Sequence, residues 1–169
     1  KEGIMEKAIP GAADWRGAEL ADSTSWIDRL TSQQARELVS TVEAVMESGR
    51  TFADIRVSEF PIPSLDGDLA TALDALETGR GIHLFRGLPV EKTSIEALRM
   101  MYWGIGAHLG TAVSQSKRGD FMGDVRDIGT DINTREGRGY TSNAELRYHC
   151  DSADVTGLLF VRTAKSGGI

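Results

Sequence analysis

The texture of the chain changes once, at Gly110, and that change limits the folds open to it. Before Gly110, apolar residues recur at helical spacing. Ala35, Leu38, Val39, Val42, Val45 and Met46 keep to one helical face. Thr31 and Gln34 open this helix as a capping box, and Gly49 offers a left-handed stop. Leu69, Leu73 and Leu76 predict a second helix, closed by Gly79. Thr93 and Glu96 form another capping box, opening a third helix through Leu98, Met101, Tyr102 and Ile105 to Leu109 and Gly110. The apolar run from Gly81 to Gly87 predicts a buried strand between the second and third helices. After Gly110, strand-like pieces (Phe121 to Val125, Leu146 to Cys150, Val155 to Arg162) alternate with Gly-, Asn- and Arg-rich loops. Helices first and strands afterwards imply an α+β fold. The last piece runs into Gly167 and Gly168, a turn pointing toward a partner strand beyond residue 169.

At 169 residues the chain is expected to be a single domain. Residues 1–30 read as an extended arm anchored by Trp15 and Trp26, residues 31–110 as mainly helical with one strand, and residues 111–169 as the start of the strand-rich core. No apolar stretch is long enough for a membrane helix. The first residues, Lys-Glu-Gly-Ile-Met, lack a signal-peptide pattern and do not begin with Met, which points to a trimmed or tagged end. The single cysteine, Cys150, fits a reducing compartment, so a cytoplasmic location is expected. A net charge of −6 argues against a nucleic-acid partner. That charge is uneven. Residues 1–80 carry 8 basic and 15 acidic side chains, residues 81–169 carry 11 and 10, and the second half is therefore the better host for an anionic small-molecule substrate.

The segment from Tyr148 to Arg162 carries the chemistry. His149 and Asp151 are two residues apart, so on a strand both side chains would share one face, pointing into a cleft. An imidazole beside a carboxylate supplies two thirds of the 2-His-1-carboxylate set that holds iron(II) and leaves positions for a cosubstrate and O2. With 3 His among 169 residues, chance alone produces His-x-Asp in roughly one such sequence in four. The surroundings therefore carry the weight: an Asn- and Arg-rich loop from Asp131 to Asn143, an aromatic immediately before the histidine, and an apolar piece followed by the paired glycines.

Taken together, Phe85-Arg86-Gly87, His149-x-Asp151 and the Gly-Gly turn make residues 80–169 resemble the N-terminal part of the taurine dioxygenase (TauD/TfdA) family. Residues 1–79 match it only in being helical. The resemblance implies the first strands of a double-stranded β-helix, or jelly roll, left incomplete in this chain. It also implies iron(II), 2-oxoglutarate as cosubstrate, O2, and oxidation of a small molecule at a C–H bond. His149 and Asp151 would then be metal ligands. The family's third ligand, a downstream His, and the Arg that pairs with 2-oxoglutarate have no counterpart, since no His follows Asp151. The cofactor-binding residues are accordingly expected after residue 169, in a C-terminal half of the same protein or an oligomeric partner.

Asn143 and Tyr148, on the approach to the ligand segment, are the candidate substrate contacts. Arg126, Arg135 and Arg138, with the loop from Asp131 to Asn143, read as a mobile loop closing over the site. His83 is expected to be a satisfied core histidine, His108 to complement a helix dipole, and Asp154 to be a turn residue. Cys150 reads as a small buried filler facing away from the metal. The carboxylate at position 151 argues against halogenation, where a small residue makes room for halide. A non-catalytic binding or regulatory domain on the same scaffold is the alternative. A zinc hydrolase would need further His or Cys ligands.

Overall fold

The computed structural model describes residues 11–115, 119–129, 142, 145 and 149–163. Two compact units divide them, one from residues 11–110 with 158–163 and one from residues 111–157.

The core of the first unit is built on three long helices. Helix α2 (Ser32–Glu47) begins at the expected capping box: the Gln34 amide donates to Thr31 Oγ1 at 3.2 Å and the Thr31 amide to Gln34 Oε1 at 2.9 Å. It ends as its sequence requires, with Gly49 at a φ of 71° just past the Ser48 cap. Helix α3 spans Asp66–Glu77 and helix α4 spans Ile95–Leu109. Helix α4 is capped one residue later than the Thr93 box predicts. Ser94 accepts from the Ala97 amide, while the Thr93 hydroxyl is taken by the Pro89 carbonyl at 2.6 Å. Gly79 is not the left-handed stop of α3. That conformation falls to Gly81, at a φ of 74°.

Leu38, Val42 and Val45 of α2 pack against Phe60, Ile62 and Leu65 of the connecting segment, Leu69 of α3, and Met100 and Met101 of α4. Phe60 and Leu38 are fully buried. Among the described residues the one buried polar residue is Gln34, whose side-chain amide donates to the Ser64 carbonyl at 2.8 Å and to Asp68 at 2.6 Å. The side chain that caps α2 thus also fastens it to the start of α3, and its burial carries no orphaned donor.

Residues 17–21 and 27–29 correct the expected extended arm. Gly17–Ala21 is a short helix, α1, and Ile27–Arg29 is a strand, β1. The predicted strand after Gly81 is present as β2 (Leu84–Arg86), half-buried. The two pair in parallel, Ile27 opposite Leu84 and Arg29 opposite Arg86. Of the two tryptophans, Trp15 ties this region to the end of α3, its Nε1 donating to the Arg80 carbonyl at 2.8 Å, whereas the Trp26 Nε1 bond is local, to the Ser23 carbonyl at 2.8 Å.

Beyond Gly110 the fold departs from the sequence reading. Phe121 to Val125 and Val155 to Arg162 are not strands, and β1–β2 is the only sheet among the described residues. A strand exists only through a ladder of hydrogen bonds to a neighbour, and among the described residues no such ladder includes these two runs. The Leu146 to Cys150 piece lies largely outside the described residues, as do the loop from Asp131 to Asn143 and the terminal Gly-Gly turn. No helix among the described residues is long and apolar enough to cross a membrane.

Candidate metal centre

His149 and Asp151 belong to the second unit, in irregular chain rather than on a strand. Their proximity therefore has a different origin from the alternation expected. After Asp151 the backbone bends through Ser152–Asp154, and Thr156 returns against the carboxylate, its Oγ1 donating to Asp151 Oδ2 at 3.1 Å. The other oxygen, Oδ1, lies 3.6 Å from His149 Nε2. Both side chains are half exposed, at 51% and 53%.

This donor set fits two positions of an iron(II) site. One imidazole nitrogen and one carboxylate oxygen are ligands suited to that ion, and both are accessible. No group of three or more His, Cys, Asp or Glu gathers among the described residues.

Asn143 and Tyr148, the candidate substrate contacts, lie outside the described residues, as do Arg135 and Arg138. Arg126 is exposed. Cys150 is exposed as well, which corrects its reading as a buried filler. His149 to Asp151 is irregular chain, without the alternation that would turn this side chain inward.

The other two histidines belong to the helical unit. His83 has a side chain only 6% exposed, with Nε2 3.0 Å from Asp28 Oδ2 and its ring against Phe85. That approach makes no hydrogen bond, so His83 is a core histidine with an ionic neighbour, not the satisfied one expected. His108, in the last turn of α4, hydrogen-bonds the Phe60 carbonyl at 2.8 Å through Nε2 and lies 3.9 Å from Asp66 through Nδ1. Thr156 is the residue that sequence reasoning missed. The only signal for it was a hydroxyl five positions after a carboxylate, across a run of small and polar residues that favours a turn.

Residues 42–169 match the family model described as "Taurine catabolism dioxygenase TauD, TfdA family", and the chain belongs to that family. The match begins inside α2, well before the residues that carried the resemblance. The chain is also similar to FR-33289 synthase of Streptomyces rubellomurinus, at 31% identity over 166 residues. That alignment covers 98% of this chain and 49% of the synthase, so the chain spans about half the length of the curated relative it matches. The family is one of dioxygenases, and the helices and short parallel sheet are compatible with part of its fold.

Proposed function

We propose that His149 and Asp151 are iron(II) ligands of a 2-oxoglutarate-dependent dioxygenase that oxidises a small molecule at a C–H bond. The observation that carries this reading is the approach of His149 Nε2 to Asp151 Oδ1 at 3.6 Å, inside the stretch matched to the family. His149 would supply a neutral nitrogen donor, and Asp151 a charged oxygen that offsets part of the ion's charge. Bound iron(II) supplies the oxygen-activating chemistry, with 2-oxoglutarate leaving as succinate and carbon dioxide while one oxygen atom goes to the substrate. The third ligand and the 2-oxoglutarate-binding Arg belong, in this reading, to a downstream segment, consistent with a relative about twice as long. An anionic substrate is favoured by the shift from a net −7 in residues 1–80 to +1 in residues 81–169, the differences 8 − 15 and 11 − 10.

The test is succinate formation by the full-length, iron-loaded protein, screened over small acids, amino acids and sulfonates. One substrate that makes succinate release oxygen-dependent supports the proposal. Conversion of a substrate without 2-oxoglutarate consumption would refute it and favour other chemistry on this scaffold.

A further inference from the structure

We infer that Thr156 is a positioning residue for the metal, holding Asp151 so that a single oxygen is offered to the ion. The inference rests on the reading of His149 and Asp151 as ligands. A carboxylate has two equivalent oxygens, and an unrestrained one can take two coordination positions on the same ion. Here the two oxygens have separate partners. Oδ2 accepts the Thr156 hydroxyl at 3.1 Å, and Oδ1 faces His149 Nε2 at 3.6 Å. The hydroxyl engages the oxygen that ligation would leave over, and it fixes the torsion of the carboxylate. An outer partner of this kind is the usual means of orienting a ligand and tuning its donor strength. Keeping Asp151 to one position preserves a place on the ion that the cosubstrate or O2 needs.

Asp151 and Thr156 are both exposed, and a hydrogen bond open to water adds little to folding stability. A loss of the hydroxyl is therefore expected to be felt by the metal and not by the fold.

The experiment titrates the full-length protein with cobalt(II) as the probe, following visible absorption, which reports coordination number and geometry. Thr156→Val keeps the side-chain shape and removes the hydroxyl. It is expected to weaken cobalt(II) binding about tenfold and to change the spectrum, with an unchanged melting temperature. Thr156→Ser, which retains the hydroxyl, should restore both affinity and spectrum. Wild-type binding by Thr156→Val, alongside lost binding by Asp151→Ala, would overturn the role of Thr156 and leave the metal site standing. A Thr156→Ser variant as impaired as Thr156→Val, or a lowered melting temperature in both, would also overturn it, since shape and not the hydroxyl would be acting. Wild-type cobalt(II) binding by Asp151→Ala would instead refute the metal site itself.

Discussion

Asp151 and Cys150 are sequence neighbours, both exposed, and their chemistry separates them. Asp151 meets the imidazole of His149 and the hydroxyl of Thr156. Replacing it with Ala removes a donor and a negative charge together, so metal affinity should fall by more than the roughly 10–100-fold that loss of an outer partner costs. Oxygen-dependent 2-oxoglutarate consumption by the full-length protein should vanish with it. Cys150→Ser should leave that consumption largely intact, because an exposed thiol contributes little packing. Measured side by side, the two variants separate ligation from general damage to the segment, and equal loss in both would count against ligation. The approach of His149 to Asp151 was legible because the two stand two residues apart, although the strand meant to align them is not there. Thr156 was not, because its role depends on a bend that no spacing rule for strands or helices encodes.

The helices show which local signals survive folding. The Thr31 box and Gly49 stop mark α2 where the sequence puts them, since the groups that satisfy those backbone ends lie within a few residues. The cap of α4 lies at Ser94, whose hydroxyl accepts from the Ala97 amide, while the Thr93 hydroxyl donates to the Pro89 carbonyl instead of capping. Strand β1 escaped notice because three residues are too few for an alternating pattern, and its partner lies on the far side of α2 and α3. Within α4, two glycines two residues apart should respond oppositely to Ala. At Gly104 the new methyl group would collide with the fully buried Phe60 ring, costing about 1–3 kcal/mol. At Gly106 it meets nothing, and the gain in helix propensity should stabilise by up to about 1 kcal/mol. Thermal or denaturant melts of the two variants check both signs. A stable Gly104→Ala would mean that α4 and the Phe60 segment pack less closely than described.

Among the described residues, buried hydrophobic side chains are confined to 38–101, whereas Phe121, Val125, Ile128, Leu158 and Phe160 are exposed. If a downstream segment also covers these side chains, amide hydrogen exchange should show it. Amides at positions 121–128 and 158–160 should exchange fast in the 169-residue chain and become protected in the full-length protein. Those of Leu38, Val42 and Met101 should be slow in both. Fast exchange at the former positions in the full-length protein as well would leave such a cover without support. The parallel pairing of Ile27–Arg29 with Leu84–Arg86 bears on how such a chain is born. A ribosome releases β1 first, then both intervening helices, and only afterwards the strand that pairs with it. During that interval an unpaired edge is open to other chains. The connection is long enough to make this contact among the slowest to form. Chaperone dependence during synthesis should therefore peak before β2 emerges and decline once the sheet can close.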